Sequence, residues 1–328
     1  MADLRTTFMG LSLKNPIIVA SGPLTANIAD LVRCEEAGAG AVVLKSIFEQ
    51  QIDYAAGKDS ETNSEFVGYS DFNDAYKTLS KDYYINQYLE LLAEAKQKLS
   101  IPVISSINCT SIRTWEDFAK RFEQVGADAI ELNYYPLASD SSVPGEKVDR
   151  EAVSFARTAR RAIKVPVALK TGFEYSSISS IMKSFEKEGI NGLVLFNHFF
   201  RPDIDIDKVD VCGGQPLSNP TEYLESLRWI ALMAGEMKKT DLAAATGIHN
   251  GETVIKMLLA GAKAVEINSV LMKNGLDAIG TIICRIEKWM GDKGFSSVSE
   301  FRGKLSQERM PDGEFWERTQ FMRTLRRS

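Results

Sequence analysis

Histidine and cysteine are scarce in this chain of 328 residues, which has two histidines, His198 and His249, and four cysteines, Cys34, Cys109, Cys212 and Cys284, without a CxxC pair. A histidine-rich metal centre, an iron–sulfur site and a disulfide framework all need denser ligands or closer cysteines than these. No bound metal is therefore expected. Basic charge is not in excess either: 39 Lys and Arg stand against 44 Asp and Glu, a formal net charge of −5, which leaves no electrostatic footprint for nucleic acid. The longest apolar runs have strand length and the opening MADLRTT has no hydrophobic stretch. Neither a membrane span nor a signal peptide is expected, and the cytoplasm is the default location. A GxGxxG turn after the first strand is also missing, which removes the main support for a Rossmann site.

What is present is repetition. Four segments run off an amphipathic helix through a Gly-containing turn into a short apolar strand that ends on a polar side chain: EEAGAGAVVLK at Lys45, EQVGADAIELN at Asn133, EKEGINGLVLFN at Asn197 and LLAGAKAVEIN at Asn268. Gly just past a helix and a buried parallel strand after it mark half of a βα repeat. Four more strands lie between them: Ile17–Ala20, Pro102–Asn108, Pro166–Lys170 and Asp241–Thr246. Helices are predicted near 27–37, 82–99, 114–124, 149–163, 177–188, 220–238, 251–259 and 275–290. Strict alternation, with no two strands joined by a hairpin, calls for a parallel sheet. Eight units in about 290 residues fit a closed (β/α)8 TIM barrel, an α/β fold formed by residues 1–328 as a single domain. Two connections are long: one at 46–80, expected to be a lid or substrate loop, and HFFRPDIDIDKVDVCGGQPLSNP after strand 6, where backbone at Gly213 and Gly214 can approach a ligand closely.

Barrel chemistry sits at the carboxyl ends of the strands. Period two aims Lys45, Asn133, Lys170, Asn197 and Asn268 into the upper rim, with Glu131 and Glu266 one layer deeper. Buried carboxylates need partners, and both lysines are expected to supply them, either as structural ion pairs or as part of a site. After strands 7 and 8, ATGIHNG and Asn268–Ser269 resemble the phosphate-holding loops of such barrels, with Thr246 and Ser269 adding hydroxyls. Read without a phosphate, ATGIHNG is a turn with Asn250 as a helix cap.

These segments together resemble the dihydroorotate dehydrogenase family, FMN-binding barrels of the cytosolic type. NPIIVASGPLT is similar to the family's opening strand and turn, LKSIFE to its Thr-Lys-Ser segment, and ELN to the start of its Glu-Leu-Asn-Leu-Ser-Cys-Pro-Asn motif. PVALK, LFN, ATGI, EINSVL and GFSSVSEFRGKL follow in the family's order. The resemblance implies an FMN-dependent oxidoreductase of pyrimidine metabolism that transfers hydride between a substrate CH–CH group and flavin N5. It places Ala20, Ser21, Gly22, Asn108 and Gly214 beside the flavin. Lys45 and Lys170 come near its pyrimidine edge, Thr246, Gly247, Asn268 and Ser269 at its phosphate, and Asn133 and Asn197 are shared with the substrate.

The departures from the family fall on the substrate side. The family's Cys or Ser base aligns with Pro136, which has no group to serve; its substrate loop has no counterpart in EFVGYSDFNDAYK; a substrate Asn aligns with Ala138, and a Ser with His198. Substitute acids or bases are Tyr134, Tyr135, His198 and Cys109, of which His198 and Tyr135 are preferred. Two other readings stand beside the flavoprotein: a Schiff-base aldolase using Lys170 or Lys45, and a catalytically silent flavin-binding subunit. Expected partners are a small-molecule substrate, a second copy in a homodimer, and an electron-transfer partner that the sequence does not identify. Residues 300–328, ending in the basic, aromatic GEFWERTQFMRTLRRS, form a C-terminal extension that docks a partner or lies on the barrel or a dimer seam.

Overall fold

A computed structural model of the protein describes residues 2–48, 85–108 and 115–319. The expected lid at 46–80, Cys109 and the last nine residues of the chain lie wholly or mostly outside that set.

Eight parallel strands close into a barrel: β1 (Ile17–Val19), β2 (Ala41–Val43), β3 (Val103–Asn108), β4 (Ala129–Asn133), β5 (Val167–Thr171), β6 (Gly192–Leu195), β7 (Asp241–Ala244) and β8 (Ala264–Ile267). Each strand pairs with the next in sequence except that β8 returns to β1, which closes the ring. The outer layer consists of α1 (Ile28–Glu36), α2 (85–98), α3 (Trp115–Val125), α4 (Gly145–Ala162), α5 (Ile178–Lys187), α6 (Tyr223–Met233), α7 (Gly251–Ala260) and α8 (Asp277–Lys293). Helix starts coincide with side-chain caps: the Asn27 oxygen accepts from Asp30 N, and Asn250 from Thr253 N at 2.9 Å. Asn250 is thus the helix cap that the sequence offers, satisfying an N–H that the first turn leaves unpaired.

The larger part of the core lies between strands and helices, with Trp115, Phe122, Phe155 and Phe185 fully buried there. The lumen is filled separately. Its lower layer carries small side chains, Ala41, Ala129, Ala168, Ala243 and Ala264, which leaves room for a plug. A hairpin of Thr6–Phe8 and Leu11–Leu13 supplies it, and its two-residue turn, Met9 (φ 54) and Gly10 (φ 80), has the doubly positive φ of a type I′ turn. Phe8, Met9 and Leu13 are buried against the alanines, and Gly192 makes the fit possible: a Cβ there would stand 2.7 Å from Met9 Cγ.

This hairpin corrects the expectation that no strands are joined by hairpins, and a second one does so again. Pro202–Asp205 and Asp210–Gly213 pair antiparallel outside the barrel, within the long β6–α6 connection. The eight-strand alternation holds for the barrel itself. The segment after α8 lies on the barrel wall: Gly303 N donates to Leu258 O, Leu305 N to Leu259 O, and Trp316 Nε1 to Leu305 O at 3.0 Å. Up to residue 319, the C-terminal extension is therefore a cover for α6 and α7 rather than a free docking helix. Among the described residues no helix is long and apolar enough to cross a membrane, and no cluster of three or more His, Cys, Asp and Glu is arranged to hold a metal ion.

Candidate active site

At the carboxyl end of the barrel a cleft is lined by Ala20, Ser21, Lys170, Asn197, His198, Thr246, Gly247, Asn268 and Ser269, with Pro216 and Ser218 from the β6–α6 connection. Nine residues chosen from the sequence are therefore brought together. Gly22 adjoins them, so close to the Asn268 side chain that a Cβ would meet Asn268 Oδ1 at 2.6 Å. Asn133, Asn108 and Tyr135 stand on the β3–β4 side of the rim. Gly214 does not line the cleft; its N–H donates to Arg201 O at the foot of the outer hairpin.

The floor is an ionic cluster. Lys170 Nζ lies 2.6 Å from Glu266 Oε2 and 3.8 Å from Glu131 Oε1, and both carboxylates are 1% exposed. Lys45 does not share in it, contrary to the expectation of two lysines for two carboxylates. Its side chain is exposed, with no ion pair among the described residues, and its backbone N–H donates to Thr25 O. The stem of a lysine is long enough to leave the face that its Cα faces. Two ionised carboxylates against one ammonium would leave an uncompensated charge in a low-dielectric lumen, at a cost of several kcal/mol. Burial pushes the Glu131 carboxyl well above its ordinary range and the neighbouring Glu266 adds to this, while Lys170 pulls the other way. Glu131 is thus the neutral acid and Glu266 the counterion, in keeping with the shorter distance. Burial acts to lower the Lys170 pKa, but the two glutamates outweigh it and raise it, so Lys170 is an ammonium throughout the physiological range.

Above the floor runs a chain of small polar groups. Asn133 Nδ2 donates to Ser106 Oγ (3.0 Å) and Ser46 Oγ (3.3 Å); Ser46 Oγ is 2.7 Å from Ser106 Oγ and 2.9 Å from Ser21 Oγ, which also accepts from Ser46 N. Ser106 could have been found from strand alternation, two residues before Asn108. Ser46 carries no such signal.

The β7–β8 side is built differently. Thr246 holds φ +67, a conformation rare for a branched residue, and its hydroxyl donates to Phe196 O at 2.9 Å. Its proton is spent on the backbone, so Thr246 shapes the turn and has no hydroxyl proton left for a ligand. Gly247 follows at φ +76, where a Cβ would meet Tyr223 N at 2.2 Å. Ser269 is better placed: its Oγ accepts from Ser218 N at 3.0 Å, which leaves its own proton for the cleft. Asn268 stands at the N-cap of the helix Ser269–Asn274 but caps nothing, and its buried Oδ1 has no partner. Ser218, which the sequence did not single out, organises this wall: its Oγ accepts from Gly247 N and meets His249 Nε2 at 3.1 Å, and its carbonyl accepts from Lys273 Nζ. Burial first, and then Lys273, lower the His249 pKa.

Of the substitute bases, His198 lines the cleft with both ring nitrogens buried and without a hydrogen bond; Glu222 Oε2 is 3.9 Å from Nδ1 and is itself held by Arg201. The Tyr135 hydroxyl accepts from Asn108 Nδ2 at 3.4 Å, and its ring meets Phe199 edge-on. Tyr134 points the other way, stacked on Phe155 in the outer core at 4.2 Å, as alternation from Asn133 requires. Pro136 stands half-buried after β4.

Comparison with known proteins agrees with this geometry. A family model described as dihydroorotate dehydrogenase matches residues 3–290. The chain is 27% identical to the catalytic subunit of dihydroorotate dehydrogenase B (NAD(+)) of Thermoplasma acidophilum, over 92% of this chain and 99% of that one. It is 22% identical to the chloroplastic dihydropyrimidine dehydrogenase (NADP(+)) of Arabidopsis thaliana, with 92% and 76% covered. It is also 22% identical to the NAD-dependent dihydropyrimidine dehydrogenase subunit PreA of Escherichia coli, with 94% and 78% covered.

The ionic floor makes a prediction. Folded Glu131 keeps a proton that the unfolded chain releases above the ordinary value of 4.5, so its contribution to stability is full below that pH and is lost as pH rises. Glu131→Gln should flatten the decline that begins above the ordinary carboxyl value at little cost, whereas Glu266→Gln removes the close counterion of the ammonium and should cost about 3–5 kcal/mol. Urea unfolding over a pH series measures both, and equal losses in the two variants would show that Glu131 is ionised.

Proposed function

The chain belongs to the dihydroorotate dehydrogenase family, whose members are oxidoreductases acting on CH–CH groups, and on that premise we propose that it binds FMN and uses it to oxidise or reduce a small substrate other than dihydroorotate. The observation that carries this reading is the union, in one cleft, of a fixed ammonium at Lys170 with an anion-fitting wall at Asn268 and Ser269. The wall suits a phosphate: a hydroxyl with a free proton and a helix start whose N–H groups no side chain caps.

In this reading Ser269 and the backbone after Asn268 hold the phosphate, Thr246 and Gly247 shape the turn that admits it, and Ala20, Ser21 and Gly22 give the ring room. Asn133 and Asn108 orient the ring edge, and Lys45 stands at the rim. Bound FMN supplies a two-electron acceptor at N5. Lys170 holds a positive charge at the floor of the cleft, where it would stabilise negative charge developing on a bound ring, and its fixed position spares reorganisation. Its pairing with Glu266 also argues against a Schiff-base aldolase at this residue, since an ammonium lacks the lone pair that attacks a carbonyl. His198 handles the substrate proton, because it lines the cleft and neither of its ring nitrogens is held by a hydrogen bond; Pro136 cannot.

A second copy of the chain belongs to the same proposal. The outer hairpin presents Ile204, Ile206, Val209 and Val211 at 67%, 82%, 87% and 71% exposure, a patch that association would cover. The separate electron-transfer partner is expected on similar grounds, since the relatives include a catalytic subunit and the subunit PreA.

Three outcomes follow. The purified protein should carry about one FMN per chain, and Ser269→Asp should release it by charge repulsion; absorption spectra read both, and undiminished occupancy would place the phosphate elsewhere. Dihydroorotate should reduce the flavin about 10²–10⁴-fold more slowly than an ordinary substrate for want of a base at position 136. Stopped-flow rates on the order of 10 per second would contradict this. Sedimentation should show a homodimer that Val211→Asp splits into monomers, and a monomeric parent protein would remove the hairpin from the argument.

A further inference from the structure

The β4–β6 side of the mouth is aromatic. Tyr135 follows β4, Phe173 follows β5, and Phe199 follows β6, each partly exposed, with Phe196 buried behind them. Successive rings meet nearly at right angles: Tyr135 and Phe199 at 4.8 Å and 77°, Phe173 and Phe199 at 6.3 Å and 77°, Phe173 and Phe196 at 5.7 Å and 76°. Perpendicular rings form a corner that offers both a π-face and a positive ring edge to a flat guest. The corner is made possible by Gly172, since a Cβ there would lie 2.3 Å from Phe199 Cζ. No hydrogen bond among the described residues uses these faces.

Among the described residues, polar groups at the same mouth are few and specific. The Asn197 backbone is fixed by its N–H bond to Thr171 O, and its side chain makes no hydrogen bond among the described residues. Beside it, His198 has two buried nitrogens without a hydrogen bond. The ammonium on the floor is already neutralised by Glu266. A pyrimidine ring carries several N–H and C=O groups around its edge, each of which must find a partner or lose affinity, and Pro136, Leu137 and Ala138 offer it no polar side chain.

We propose that the cleft accepts a neutral, planar, unsaturated carbonyl compound, with its conjugated plane against Tyr135, Phe173 and Phe199 and its carbonyl oxygen on Asn197 and His198. This substrate class rests on the flavin reading above and narrows it: the CH–CH group is one conjugated to an apolar or aromatic system, not one embedded in a polar ring.

The test is calorimetric titration of the FMN-loaded protein with trans-cinnamamide, uracil and orotate, with flavin occupancy read from the visible spectrum of every sample. Cinnamamide should bind at least about tenfold more tightly than either pyrimidine, and Phe199→Ala and Asn197→Ala should each weaken it about tenfold, a step of one decade in Kd, with flavin retained. If Phe199→Ala loses flavin, Phe199→Leu, which keeps the volume and removes the ring, carries the same expectation. Preference for uracil or orotate, or cinnamamide affinity unchanged in the variants, overturns the substrate class. A yellow protein that ignores cinnamamide does so alone, whereas a protein that takes up no FMN overturns the flavin reading and this inference with it.

Discussion

The contact between Lys170 and Glu266 is the constraint from which the site follows. Glu266 is on β8 and Lys170 on β5, so a 2.6 Å contact between them crosses the lumen and ties two strands that do not pair. Once it forms, Glu131 has no second cation to meet and is left as the neutral acid, and the barrel floor carries no net charge. Burying such a cluster is no gain in stability by itself, since removing an ion pair and a carboxyl group from water costs more than a hydrophobic filling would. What it gives is a positive group held in one place beneath a cleft, which an exposed, unpaired lysine such as Lys45 does not.

The rim divides by chemistry. One half, from β7 through β8 to β1, is made of hydroxyls, an amide and turn backbone; the other, from β4 to β6, is made of rings. The division follows from where the chain spends its hydrogen bonds. Thr246 turns its proton inward to Phe196 O and Ser218 gathers Gly247, Ser269 and His249, while on the aromatic side the Asn197 amide and the His198 ring keep no hydrogen bond among the described residues. A ligand with a polar end and a flat apolar end matches that asymmetry, and a family built for a uniformly polar ring does not need it.

Much of the architecture was legible because its causes are local. Barrel strands are buried on both faces, so they read as short apolar runs, and Gly at the helix ends with Asn27 and Asn250 at their starts set the boundaries. Strand alternation also placed Glu131, Lys170, Asn268 and Asn133 correctly. It failed for Lys45 because period two gives the face on which a side chain starts and not where four methylenes end. Thr246 was assigned a donor role that a carbonyl from another strand had already claimed, and that competition exists only once β6 and β7 are paired. The outer hairpin was readable after all: DIDIDKVDV alternates aspartate with aliphatic residues, the mark of a two-stranded ribbon, but its apolar side meets solvent instead of a core. The plug at Phe8 and Met9 gave less warning, since Met-Gly is a poor advertisement for a turn that usually favours Asn-Gly.

That plug has a consequence for traffic. With Phe8, Met9 and Leu13 wedged against the alanine layer, the lower end of the lumen is a stopper, and anything reaching Glu131 from water must descend past Lys170. A large guest seated in the upper mouth would then act as a cork, and the acid below it would exchange with solvent only on the schedule of that guest's departure. The barrel behaves less like a pipe than like a flask, and what enters first leaves last.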